Sequence, residues 1–589
     1  MAPPQNGMRH TRAERTMNQV ISLPFADPGT PDLTSPTAYL RWVGKGQWRT
    51  LVVAIAFGIV WLVSQALFPA AMGKAIDEGI IGGDAGSLLL WCGILIGLVT
   101  ISALSGVMRH KYAVANWMQG AFRSAQLIGH KAADTGEALT RAVPTGDVVA
   151  TVSSDAMRIG GLYDVLARFA GAIVSYVVVA LILLGASTPL GLVVLIGVPV
   201  LVACLTFIVR PLQARQLAQR EEAGRLIGLG ADTVAGLRVL RGIGGEHTFL
   251  ARYAAQSQSV RRVGNRVAGY QAALDAAQVL LPGLFVLVVV WLGARFAIAG
   301  EITAGQLVAF YGYTAFLVIP LRTATEMVDR ATRAHIGARK LTKILRVEPD
   351  HVETPGAQPL PTGPARLYDP RSGVSIEPGR FTVVVSERPE ETASLADRLG
   401  RFGAGETDVR LDGTRLADAS LAEVRRRVVV SETEPRLFTG TLREELDPWG
   451  DHDDASILDA LSVASGDDVL EALPGGLDNE VEERGRAFSG GQRQRLALTR
   501  ALLTDADTLV LVEPTSAVDA HTEARIAGRL TDARAGRTTV VMTASPLILD
   551  QADHVLFLRQ GTVAASGTHS QLMVDVPDYR RTVVRGDED

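Results

Sequence analysis

The sequence predicts a membrane α-helical domain of six spans followed by a soluble α/β domain. Three observations carry this. Charge-free runs long enough to cross a bilayer fill much of the chain before residue 322, and arginine gathers in the segments between them. After residue 365, short apolar runs alternate with helical patterns. At 589 residues and 47% hydrophobic, the chain is too long for one domain and too apolar for an ordinary soluble protein.

Residues 1–35 are polar, contain Pro and Arg, and lack an apolar core of signal-peptide length, so they read as a flexible cytoplasmic tail. Uncharged runs then extend over 50–73, 85–108, 169–209, 276–294 and 302–321. The third is twice too long for one crossing of about 30 Å. It contains GASTPLG at 185–191, whose Gly and Pro suit a hairpin, which brings the spans to six. Between Arg210 and Asp275 stand ten arginines against five acids, while the turns near Asp77, Ser187 and Ala299 carry almost no positive charge. The long segments 109–168 and 210–275 are therefore assigned to the cytoplasmic side, with both termini, as in a multi-pass protein of a bacterial inner membrane. Their helical patterning predicts that the spanning helices continue beyond the bilayer.

Cys92 and Cys204 lie inside apolar runs and read as small buried hydrophobes; no metal site is expected. The net charge of −4 gives no basis for a nucleic-acid partner. The membrane domain is placed at 36–345, a Pro- and Gly-bearing linker at 346–364 and the soluble domain at 365–589. Within the last, FTVVV (381–385), RRVVVS (426–431), DTLVLVEP (507–514) and TTVVMTAS (538–545) are the expected buried strands.

Five landmarks follow in order: LFTGTLREEL (437–446), LPGGLDNEVEERG (473–485), FSGGQRQRLALTRALL (488–503), EPTSAVD (513–519) and QADHVLFLRQGTVAASGTH (551–569). Together with the six spans, this order resembles the ATP-binding cassette (ABC) exporters in their half-transporter form. The resemblance runs from about Ser35 to the C terminus, and it implies that the soluble part is a P-loop-NTPase-like nucleotide-binding domain using ATP and Mg²⁺. In that family two such domains pair head to tail, each ATP lying between the phosphate loop of one and the SGGQ signature of the other. The resemblance assigns Ser489, Gly490, Gly491 and Gln492 to a nucleotide held by another chain, with Asp519 in the loop that crosses to the opposite site. A helix start with its amides exposed is physically suited to a phosphate; a plain Ser-capped helix is the alternative. Tyr368 stands about where the family stacks an aromatic on adenine, with ordinary packing before a strand as the alternative.

The chain's own phosphate site departs from the pattern. The family's GxxxxGK[ST] falls on SERPEETA, 386–393, with Ser386 and Glu391 in the glycine positions, Thr392 for the lysine and Ala393 for the magnesium-binding hydroxyl. No lysine occurs after Lys343, so no shift of register restores it. Val512 replaces the magnesium-orienting Asp, leaving Glu513 at the general-base position. Thr433 falls on the Gln that senses magnesium and Ala544 on the switch His; neighbouring Ser431 or Ser545 could fill these slots, and neither restores Gln or His.

The resemblance therefore implies a degenerate-site subunit of a heterodimeric exporter, whose own site does not hydrolyse. Its expected partner is a second half-transporter chain with an intact Walker A motif and switch His. The lipid bilayer and a small-molecule, lipid or peptide substrate are the other partners implied. A membrane-anchored scaffold or regulator and a siderophore-importing variant of the exporter fold are the alternatives. The turns near 141–149 and 231–239 are the candidates for coupling the spans to nucleotide.

Overall fold

The computed structural model describes residues 23–351, 356–403, 407–433, 436–482 and 485–584. These form two compact units: one of residues up to Asp134 with Leu139–Val347, the other of Thr135–Ala138 with Glu348–Asp589.

The first unit is helical. Among the described residues, Trp48–Ile81, Ala85–Thr135, Thr145–Ala186, Glu246–Ile298 and Ala304–Leu345 are each long and apolar enough to span a bilayer. The sixth long helix is Thr188–Ala235. The expected hairpin is real: the chain leaves the helix at Ser187, whose φ of −156° is extended, and restarts with Pro189 in the first turn. The longest helix, 53 residues over Glu246–Ile298, reaches about 80 Å at 1.5 Å per residue and so continues far past the hydrocarbon.

Close packing of spans depends on small residues, because lipid supplies no hydrophobic drive for association. A Cβ on Gly171 would stand 2.3 Å from the Gly58 carbonyl oxygen, and one on Gly305 would stand 2.1 Å from that of Gly73. At both points two helix backbones touch.

Two expectations need correction here. Residues 23–35 are not a flexible tail. The Phe25 amide donates to the Gln126 side chain at 3.1 Å, the Arg123 guanidinium lies 4.4 Å from the Phe25 ring centre, and Leu33 packs on the core around Tyr39 and Ile128. The apolar side chains of Phe25 and Leu33 give this polar-looking segment its anchor; the remainder, 1–22, is outside the described residues. Cys92 and Cys204, for their part, are exposed on the surface of the unit rather than buried.

Among the described residues the second unit has twelve strands: β1 (Leu367–Asp369), β2 (Val374–Ile376), β3 (Phe381–Ser386), β4 (Arg410–Leu411), β5 (Thr414–Arg415), β6 (Val428–Ser431), β7 (Gly440–Thr441), β8 (Glu480–Val481), β9 (Thr508–Val512), β10 (Thr538–Met542), β11 (His554–Arg559) and β12 (Thr562–Gly567). The central sheet has the order β12-β11-β3-β10-β9-β6, all parallel except for β12 at one edge. Alternate residues feed two cores. Val384, Val510, Val512 and Met542 pack on one face, while Val383, Val385, Leu509, Leu511 and Val541 pack on the other. That is why these strands read as unbroken apolar runs. A small antiparallel sheet, β2-β1-β4-β5, packs Leu367, Val374, Ile376 and Leu411 into the first of these cores. Leu360, inside the expected linker, is buried in the first of these cores, and its amide donates to Glu423 at 3.0 Å.

Candidate nucleotide-binding site

In an open parallel sheet, ligands collect beyond the carboxyl ends of the strands. β3, β10 and β9 are neighbours in register, so Ser386, Thr543 and Glu513 emerge side by side. They border an open cleft of about 390 Å³ that also takes in Glu387, Thr392, Ala544, Arg581 and Thr582. Ser386, Thr392, Glu513 and Ala544 are the residues that the sequence brings to this place; it has no signal for Arg581 and Thr582, which arrive from the helix Pro577–Val583.

The turn leaving β3 is short. Only Glu387 and Arg388 separate the strand from the helix Pro389–Leu399. The Ser386 hydroxyl donates to Glu391 Oε2 at 2.8 Å, and the Thr392 hydroxyl donates back to the Pro389 carbonyl at 2.9 Å. Ala393 is exposed on the following helical position. A phosphate cradle needs several amides converging on one point, with a cation beside them. The residues present do not fit a bound triphosphate.

Val512 is an ordinary core residue at the end of β9. Glu513 follows in the left-handed region at φ 47°, a sparsely used conformation for a side chain of this size. Its Oε2 accepts from the Thr543 hydroxyl at 3.1 Å. Ala544 packs against the second core and offers no ring nitrogen. The Thr433 carbonyl lies 3.4 Å from Gln494 Nε2. Gln494 does not stand out in the sequence, yet its side chain joins the region: Nε2 donates to Ser516 Oγ at 2.8 Å and Oε1 accepts from the Ala517 amide at 2.9 Å. Its position inside QRQR carries no periodic or spacing signal separating it from a solvent-facing residue.

Tyr368 is half-buried at the middle of β1. Next to it, Asp369 is fastened by Arg398 at 2.7 Å, from the helix that starts at Pro389. Burial pushes the Asp369 carboxyl up, but hydrogen bonds from Arg398 and Ser372 outweigh it and hold the group below the usual carboxylate range.

The signature residues are intact and differently placed. Ser489 caps the helix Gly490–Leu503. Its hydroxyl accepts from the Gln492 amide at 3.2 Å, and Gln492 Oε1 accepts from the Ser489 amide at 2.8 Å. This capping box consumes the amides of Ser489 and Gln492. The helix's first two amides, at Gly490 and Gly491, are left by the cap, as is the Ser489 hydroxyl proton.

The two glycines do different things. A Cβ at Gly490 would meet only the Ala517 Cβ, at an ordinary 3.6 Å, whereas one at Gly491 would stand 2.6 Å from the Ala517 carbonyl oxygen. Gly490 therefore keeps the approach open, and Gly491 lets the helix pack on the 515–518 loop. Gly491→Ala is expected to destabilise the domain by about 1–3 kcal/mol, read as a lowered denaturation midpoint, through the overpacking it forces. Asp519 caps the next helix, Ala520–Ala533, through the Thr522 amide at 3.0 Å; that bond holds its carboxyl below the ordinary range.

Residues 51–321 match the ABC transporter transmembrane region, and residues 399–516 match the ABC transporter domain. The chain belongs to the ABC transporter family. One transmembrane domain and one nucleotide-binding domain are fused in it, and it is a multi-pass membrane protein resembling bacterial ABC transporters. It is 25% identical over 588 residues to a probable multidrug resistance ABC transporter ATP-binding/permease protein of Bacillus subtilis, covering 93% of this chain and 97% of that one. With an ATP-dependent lipid A-core flippase of Pseudomonas aeruginosa the identity is 29% over 430 residues, 69% of this chain and 70% of the other. The structure of a bacterial Atm1-family ABC exporter with ATP bound shares its fold, with a TM-score of 0.76 at 20% identity, covering 92% of this chain and 99% of that one. The ABC transporter domain match takes in Ser489–Gln492 and Glu513 and leaves 386–393 and Ala544 outside it.

Proposed function

We propose that this ABC transporter chain is the non-hydrolysing half of a heterodimeric exporter, lending its signature helix to an ATP site carried by a partner chain. The observation that carries this is the contrast within one domain. The helix start is exposed at Ser489 and Gly490 and half-buried at Gly491, with two amides and a hydroxyl proton left by the cap. The loop at 386–393, by contrast, lacks the glycines, the lysine and the magnesium-binding hydroxyl that would hold a triphosphate.

In this mechanism the partner supplies phosphate loop, catalytic base and switch His. The chain's own part is to donate from Ser489, Gly490 and Gly491 to the far side of that nucleotide, with charge stabilised at the helix N-terminus. Asp519 and Gln494 hold the loop behind it. Closure of the two nucleotide domains then drives the spans between inward- and outward-facing states.

A partner is also supported by the long helices. Ile227, Val234 and Ile243 are 72–74% exposed, in a segment assigned to the cytoplasm where lipid does not cover them. A second half-transporter would. The cargo is proposed to be amphipathic: the spans are almost free of charge, and the relatives are named for multidrug resistance and for a lipid.

The test is a pair of substitutions in the assembled transporter. Glu513→Gln is expected to leave ATP turnover within about twofold, because Glu513 has no nucleotide to act on, while the same change at the partner's catalytic Glu is expected to abolish it. If Glu513→Gln stops turnover, this chain hydrolyses ATP itself and the assignment is wrong.

A further inference from the structure

The connection between β3 and the helix Pro389–Leu399 does more than disable hydrolysis. Backbone amides are what make a phosphate loop bind, and three positions of this connection have none to offer. The Arg388 amide donates to Ser386 Oγ at 3.2 Å, and the Glu391 amide donates to the Arg388 carbonyl at 3.0 Å. Pro389, between them, has no N–H to give.

The anion position is also taken. Glu391 lies in the first turn of an eleven-residue helix, where negative charge is stabilised by the helix's positive end, and its carboxylate receives the Ser386 hydroxyl at 2.8 Å. Glu387 and Glu390 flank it. Arg581, which lines the same cleft, is paired with Asp578.

Building on the composite site proposed for the partner's ATP, we infer that Glu391 acts as a built-in anion that closes this half-site, so that the assembled transporter binds one ATP at the partner's phosphate loop and none on SERPEETA. The two nucleotide domains then close over a single nucleotide, and the face bearing Ser386 meets its partner through protein contacts alone.

The experiment is nucleotide stoichiometry by native mass spectrometry on the full heterodimer at saturating Mg²⁺ and ATPγS. One nucleotide per heterodimer is expected; two, with turnover still abolished by Gly490→Asp, would overturn the inference and leave the composite site standing. Turnover insensitive to Gly490→Asp would instead overturn the composite site itself. A chain carrying Ser386→Gly, Glu391→Gly, Thr392→Lys and Ala393→Ser, which rebuilds the phosphate loop, is expected to raise the count from one to two. A count of one from that chain, folded and assembled, would show that Glu391 and its neighbours are not what closes the site. Should it fail to assemble, the count for the natural chain still decides.

Discussion

Gly490→Asp in the assembled transporter is expected to lower ATP turnover at least about 100-fold, the scale on which single oxyanion-type donors act. The new carboxylate would stand beside the amides of Gly490 and Gly491, where the proposed composite site places the terminal phosphate, and like charge would oppose that contact. Folding is not the obstacle: a Cβ at this position finds only the Ala517 Cβ at 3.6 Å. Assembly and melting behaviour should therefore match the natural complex while turnover is lost. Gly491→Ala serves as the contrasting case, since it injures packing first. Unchanged turnover in a well-folded Gly490→Asp complex would mean that this helix start meets no nucleotide, which is the behaviour of a membrane-anchored scaffold.

The second large effect concerns the chain in isolation. Expressed without its partner and reconstituted in lipid, it is expected to show ATP turnover indistinguishable from the membrane background, and co-expression with the partner should restore it. The reasons add together rather than depend on one residue. No lysine follows Lys343, Val512 lies in the core where a magnesium-orienting carboxylate belongs, and Ala544 has no ring to position a water. Thr392→Lys alone should not change this, because Glu391 and the short connection remain. Turnover by the lone chain would require a second catalytic apparatus in the cleft.

The membrane spans and the buried strands were legible because each is governed by one strong physical demand. Charge is costly in hydrocarbon, so the spans appear as uncharged runs; strands buried on both faces appear as unbroken apolar runs. The hairpin at Ser187 was legible for a related reason, since Gly185 and Pro189 mark where a helix can stop and restart. The start of the signature helix was legible because Ser489 is a favoured cap residue before a Gly pair and a run of helix formers.

What escaped the sequence depends on side chains meeting across long separations. Gln494 links Ser516 and Ala517 from another segment, and Arg581 reaches the cleft from the last helix. Neither follows a local rule. The contact of Ser386 with Glu391 could be seen only once the helix was found to begin at Pro389, two residues after the strand. The anchoring of residues 23–35 was hidden for the same reason: Phe25 is one aromatic in a polar segment, and its partners Arg123 and Gln126 lie about a hundred residues away.

The composite site requires that this chain work beside a different one. The direct measurement is the intact mass of the complex recovered with this chain, by a tag, from the membrane of its native host. A second chain of similar length carrying a complete GxxxxGK[ST] loop and a switch His, present in equal amount, is the predicted result. Recovery of copies of this chain alone, with ATP turnover in the same sample, would contradict it.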